Sequence, residues 1–256
     1  MGATKRAVGA AKAGSAAGPD GPENRLLAVL PPAAVAELRP HLHAVDLTAG
    51  RRLIEPGDRV RQAYFPITGA LAVLMLMEDG TPVEVFTVGS EGFVDVSCLL
   101  SVDASLYEVL CLTQVTALQI TVPALRAAFR ESAPVRDLLL RYAGVALGCT
   151  GRSIGCKAAH TVEQRLARWL LMARDRIETE ALPLTHELLG HMLGVQRATV
   201  TAAAHGLRDR GLIRYHRGQI TITDRSGLEG AACEDYRTYV DEYERLLGPG
   251  GRPRTP

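Results

Sequence analysis

The sequence predicts an α+β chain in which short strands close into a sandwich or barrel, a long helix follows, and a winged helix-turn-helix ends the fold. Three observations carry this. From His43 to about Val122, β-type runs alternate with turn residues. From Val135 to Cys156, side chains recur at spacings of three and four. Leu184 to Gln219 reads as two short helices around a tight turn, then a β-ribbon.

Composition narrows the class. A chain of 256 residues is long enough for two ordinary domains, and 47% hydrophobic with 22% charged residues describes a globular protein. No apolar run approaches the ~20 residues a membrane span needs. Lys5 and Arg6 are followed by Ala, Gly and Lys and not by a Leu-rich core, so no export signal is expected and the cytoplasm is the expected compartment. Cys98, Cys111, Cys149, Cys156 and Cys233 are widely spaced and lack any C-x-x-C pair, which favours reduced thiols over a disulfide framework or zinc finger.

In chain order, residues 1–22 are mostly Ala, Gly and Ser and read as a disordered tail. Residues 23–130 form the strand-rich domain, entered through two short helices split by Pro31-Pro32. Turns are expected at Ala49-Gly50, Pro56-Gly57-Asp58, Thr68-Gly69, Asp79-Gly80 and Gly89 to Gly92. Glu78-Asp79-Gly80-Thr81, between Ala72–Leu76 and Val83–Phe86, is the clearest hairpin. Val122 to Glu131 reads as a short helix.

Residues 131–160 then form the long helix. Val135, Leu138, Tyr142, Val145 and Cys149, continued by Arg152 and Cys156, make a heptad seam whose simplest partner is a second copy of the chain. Gly144, Gly148, Gly151 and Gly155 fall on one stripe. They either admit a close helix neighbour or mark a break near Gly151, and sequence leaves both open.

Residues 161–247 hold the winged helix-turn-helix. It is introduced by an amphipathic helix with Val162, Leu166, Trp169, Leu170 and Met172 on its apolar face. Thr185 caps the first short helix, Gly194 permits the turn, and Val200, Ala203 and Leu207 give the second helix one buried face. That leaves Arg197, Thr201 and His205 outside. Small residues such as Gly190 and Ala202 to Ala204 let such a pair pack closely enough for one helix to enter a DNA major groove. Five arginines against Glu187 and Asp209 leave a local excess of three positive charges, whereas the whole chain carries +1. Ile213 to Thr223 alternates around Arg217-Gly218 as a hairpin whose tip could meet a phosphate. Ser226 to Leu247 reads as one final helix, and residues 248–256 as a flexible tail.

In this order the chain resembles the Crp/Fnr family of bacterial transcription regulators, over roughly Glu23 to Leu247. The resemblance rests on Gly50-x-x-Leu53 with Gly57-Asp58, Tyr64-Phe65-Pro66 before Gly69, Asp79-Gly80 with Glu84, Gly89-x-Glu91-Gly92, and Leu188 to Ile213 with the wing. It looks closest to members carrying Cys156-x-x-x-His160 before Arg165-Leu166-Ala167-x-Trp169-Leu170-Leu171. The resemblance implies that the strands form a double-stranded β-helix, a cyclic-nucleotide-binding-like jelly roll. It further implies a cytoplasmic homodimer on a two-fold symmetric duplex operator, with RNA polymerase and a small-molecule effector as possible partners.

Carried over by position, Arg197 matches the arginine that reads a guanine, where a guanidinium can bond O6 and N7 together. Gln196, Thr199 and Thr201 are candidates for base or phosphate contacts, and His205 and Arg217 for phosphate. Glu84, Gly89, Glu91 and Gly92 mark the expected effector pocket. Two departures matter. Ala198 and Ala202 stand where cyclic-AMP-responsive members carry a glutamate and a second arginine, so the operator differs. Ser105-Leu106 stands where the phosphate-binding arginine belongs, and no Lys or Arg occurs from Gln62 to Leu125. A cyclic phosphate there would be an uncompensated buried charge.

The remaining constellations are weaker. Cys156 and His160 share a helix face at i, i+4, but sequence offers no second ligand pair, so they read as packing and hydrogen-bonding residues with no metal. No cysteine precedes Cys98, which argues against an iron-sulfur cluster, and no cofactor is expected. The chain has no nucleophile elbow, H-E-x-x-H or P-loop, so catalysis is not expected. Two alternatives stand beside the regulator. A cupin-like metal enzyme would need barrel histidines, and none lies between Asp46 and Ala159. An accessory domain with a vestigial helix-turn-helix would have lost its DNA affinity.

Overall fold

The computed structural model describes residues 24–248 except 101, 103 and 178. The tails expected over 1–22 and beyond 248 lie outside the described residues. Pro32 opens α1 (Pro32–Leu38), where its missing N–H costs nothing. Seven strands follow: β1 (His43–Leu47), β2 (Arg52–Ile54), β3 (Gln62–Thr68), β4 (Leu71–Leu76), β5 (Pro82–Val88), β6 (Glu108–Cys111) and β7 (Val115–Thr121). They form two antiparallel sheets, in the orders β1-β7-β3 and β2-β6-β4-β5. The expected hairpin is β4–β5, in register from Leu76 opposite Pro82, with Gly80 at φ 82° closing the turn. Phe65 and Phe93 stack at 5.1 Å between centroids, and the buried Tyr142 completes the cluster 5.0 Å from Phe93.

Thr121 caps α2 (Val122–Glu131) by accepting from the Ala124 N–H. Next comes α3 (Ala133–Ala159), unbroken across Gly151, so the glycine stripe marks no break. The expected dimer seam is corrected here. Val135, Leu138, Tyr142 and Cys149 are buried within the protomer and Val145 is half-buried. Tyr142 donates to the carbonyl of Phe93 in the roll, and the carbonyl of Cys149 accepts from Tyr239 near the C-terminus. A heptad seam reports that a helix face is covered, not what covers it. The glycine stripe faces open space, since a Cβ at Gly144, Gly148, Gly151 or Gly155 would meet nothing within 4 Å.

The C-terminal part begins with α4 (Val162–Arg176), set by a capping box between Thr161 and Gln164. It is covered on nearly every side, because the helices that follow it in the chain pack on it and the roll reaches it through side chains at Glu84 and Glu91. Then come β8 (Ala181–Leu182), α5 (His186–Leu193), α6 (Arg197–Asp209), β9 (Ile213–His216) and β10 (Gln219–Ile222), the strands ordered β8-β10-β9. The single final helix expected from Ser226 is also corrected: it is α7 (Arg225–Ala231) and α8 (Asp235–Leu247), separated by extended backbone at Ala232. The apolar spacing runs through the break without a gap, which hid it.

Candidate nucleic-acid interface and its joint to the roll

The helix-turn-helix is built from local chemistry. The Thr185 hydroxyl accepts from the Leu188 N–H at 3.1 Å and caps α5. Gly194 ends that helix at φ 64°, a left-handed conformation that a side chain would strain. A Cβ on Gly190 would come within 2.8 Å of the Val195 carbonyl, so the turn closes only over glycine. Val200, Ala203, Ala204 and Leu207 bury one face of α6. Gln196, Arg197, Ala198, Thr199 and His205 are exposed on the other.

Thr201 does not join them as expected. It is half-buried, its hydroxyl donating to the Arg197 carbonyl at 3.0 Å and lying 2.9 Å from His186 Nδ1. The spacing puts Thr201 outside with Arg197 and His205, but its contact with His186 of α5 holds it partly inside. His186 itself escaped sequence reading: it is buried and stacks on Tyr215 of the wing at 4.3 Å. Burial, then the charges of Arg197 and His205, hold its pKa below the ordinary 6.5.

The wing turn has Arg217 at φ 46° and Gly218 at φ 77°, the twist that a two-residue hairpin prefers. Arg217 is exposed at its tip. Of the five local arginines, Arg208 pairs with Asp209 at 2.8 Å and Arg210 with Glu163 at 2.7 Å. Arg197, Arg214 and Arg217 are exposed with no ion-pair partner among the described residues, so their charges are available to a polyanion.

The four residues expected to line an effector pocket instead form the joint between roll and α4. Glu84 accepts from Thr87 Oγ1 at 2.6 Å and from Trp169 Nε1 at 2.5 Å, while its carbonyl accepts from Lys157 Nζ at 2.9 Å. Glu91 accepts from the Gly89 N–H at 3.0 Å and from Arg176 Nε at 2.7 Å. A Cβ on Gly89 would lie 2.7 Å from Arg176 Cγ, and one on Gly92 would collide with the Tyr142 hydroxyl. Cavities of about 30 Å³ beside Glu91 and about 10 Å³ beside Glu84 hold a water at most. Carboxylates and glycines suggested a cradle in sequence, but the covering residues lie some eighty positions away.

Cys156 and His160 do share a face, and Cys233 and Asp235, at the start of α8, close on them. Among the described residues no helix is long and apolar enough to cross a membrane.

Comparison with known proteins agrees with this architecture. Residues 44–132 match the cyclic nucleotide-binding domain family, and residues 164–231 match the Crp-like helix-turn-helix domain family. A CRP-like cAMP-activated global transcriptional regulator of Mycobacterium tuberculosis is 26% identical over 77% of this chain and 91% of the relative. A global nitrogen regulator of a Nostoc species is also 26% identical, over 65% and 79%. The crystal structure of a CRP/FNR-family transcriptional regulator from Thermus thermophilus superposes with a TM-score of 0.59, at 25% identity, over 74% of this chain and 97% of that one. The roll, the long helix and the winged helix-turn-helix, together with these matches, make the chain a member of the Crp/Fnr family of transcriptional regulators, with a Crp-like helix-turn-helix as its DNA-binding domain.

Proposed function

We propose that the chain acts as a homodimer that reads a two-fold symmetric operator with α6, under a roll that does not take cyclic AMP, and that it performs no catalysis. The observation that carries this is the exposed Arg197 at the first residue of α6, beside Gln196 and Thr199 and with Arg217 at the wing tip. An arginine at the end of a helix that enters the major groove is placed to bond a guanine edge, and a cation on the wing to bond phosphate.

The dimer is supported by the outer face of α3. Leu140, Leu147 and Ile154 are 48%, 75% and 68% exposed and recur every seven residues, with Gly144, Gly151 and Ala158 four positions after each. Burying each large side chain is worth about 1.5–3 kcal/mol, and the small residues between them let two helices approach closely. This stripe replaces the seam expected from sequence.

Against cyclic AMP stand the missing cations between Gln62 and Leu125 and the site of the expected arginine. Ser105 bonds within its own loop, to the Tyr107 carbonyl, and Leu106 is exposed. The activating ligand named for the Mycobacterium tuberculosis relative therefore does not transfer. An effector of another kind and contact with RNA polymerase fit the family. The test is titration of purified, ligand-free protein onto random-sequence duplex at two salt concentrations. Binding that weakens steeply with salt supports the reading, and salt-insensitive or absent binding refutes it.

A further inference from the structure

We propose that Cys156, His160, Cys233 and Asp235 form a tetrahedral four-ligand site for a zinc-class divalent cation, which fastens the end of α3 to the start of α8. The four ligand atoms lie within 4.8 Å of one another, and the thiols come from positions 77 residues apart.

Three of the six ligand–ligand spacings are close to those of a coordination shell, and the remaining ones lie within 4.8 Å. With Zn–S bonds of about 2.3 Å, two sulfurs on a tetrahedron stand roughly 3.8 Å apart, and sulfur–oxygen and nitrogen–oxygen edges are about 3.3–3.7 Å. Cys156 Sγ and Cys233 Sγ are 3.6 Å apart, Cys233 Sγ and Asp235 Oδ2 3.8 Å, and His160 Nδ1 and Asp235 Oδ2 3.5 Å. A disulfide would need the sulfurs at about 2.05 Å and would leave the imidazole and carboxylate without a role.

The surroundings suit a bound cation. His160 Nδ1 is buried, faces the cluster and has no hydrogen-bond partner among the described residues. Its other nitrogen, Nε2, lies 3.2 Å from Glu234 Oε2, the carboxylate–imidazole arrangement that fixes a metal-ligating tautomer. The second oxygen of Asp235 accepts from Arg152 Nη1 at 3.0 Å, which leaves Oδ2 for the cation. Two thiolates and a carboxylate outweigh a divalent ion by one negative charge, and Arg152 and the buried Arg168, whose field reaches both thiols, offset it. Cys156, Cys233 and Asp235 are all buried, whereas Glu234 is open to solvent and marks the entry side. On binding, the cation displaces the thiol protons of Cys156 and Cys233 to solvent. The site spans the corner between α3 and α4, where the dimer helix hands over to the DNA-binding domain.

The experiment is Co²⁺ titration of the full-length, reduced, chelator-treated protein, followed by visible absorption, with circular dichroism to show that it is folded. The expected result is one tetrahedral Co²⁺ per chain with a thiolate-to-cobalt charge-transfer band, bleached by Zn²⁺. Cys233→Ser and His160→Ala lose or weaken that band, Glu234→Gln weakens binding roughly tenfold, and Cys111→Ser leaves it intact. The wild-type spectrum decides the matter even if a variant misfolds. Folded wild-type protein that gives only the spectrum of aqueous Co²⁺, or in which Cys156 and Cys233 are recovered as a disulfide after metal loading, overturns the proposal.

Discussion

Arg176 of α4 and Glu91 of the roll meet at 2.7 Å with side chains 6% and 7% exposed, so the β-roll and the DNA-binding domain share a buried ion pair. Trp169, about two turns earlier on the same face of α4, makes the parallel contact with Glu84. These two bonds tie the roll to α4, so any movement of one domain against the other strains them.

A buried pair adds little net stability, yet losing one partner strands the other charge. Glu91→Gln is expected to cost about 3–5 kcal/mol in urea unfolding, and Glu91→Leu with Arg176→Met to recover most of that. Single substitutions costing under about 1 kcal/mol would show that water reaches the pair and that the domains are not held there.

The outer face of α3 makes a separate prediction. Leu147→Glu is expected to shift sedimentation from dimer to monomer while leaving the protomer folded, since Leu147 is 75% exposed. Tyr142→Phe does the reverse: it removes the buried bond to the Phe93 carbonyl, at about 1 kcal/mol of stability, and leaves association unchanged. A Leu147→Glu protein that still sediments as a dimer would place the interface elsewhere.

His186 ties the helix-turn-helix to pH. Burial, with Arg197 and His205 behind it, lowers its pKa from 6.5, so the folded chain keeps the imidazole neutral where the unfolded chain already takes a proton. The stability that this neutral ring contributes is full above the unfolded value and is lost as pH falls through the folded one. Unfolding free energy should therefore decline below about pH 6.5, and His186→Gln should flatten that part of the profile. An identical slope in wild type and variant would assign the dependence to other groups.

What sequence made legible was what short-range chemistry decides. The Asp79-Gly80 and Arg217-Gly218 turns, the Thr185 cap and the Gly194 corner depend on residues within a few positions, and each is found where expected. Patterns whose meaning depends on a distant partner misled. The α3 seam is a true buried face whose neighbour lies within the same chain, while glycines interrupt the stripe through Leu140, Leu147 and Ile154 and hide it from a hydrophobic pattern. Glu84 and Glu91 suggested a pocket until Trp169 and Arg176 covered them. Cys156 and His160 lacked a second pair because Cys233 and Asp235 lie beyond the whole helix-turn-helix. The acidic Glu234-Asp235 pair, suited to a helix start, was the one local hint of the α7–α8 break.

On the proposed function, Arg197 at the head of α6 reads a base in each half of a two-fold operator. The most direct measurement is selection of binding sites from random duplex DNA with ligand-free wild-type protein and with Arg197→Ala. The expected result is a palindromic motif with half-sites about one DNA turn apart, and a variant that binds it about 1–3 kcal/mol more weakly and accepts any base at one position of each half. Recovery of no symmetric motif, or of the same motif at full stringency with the variant, would contradict it.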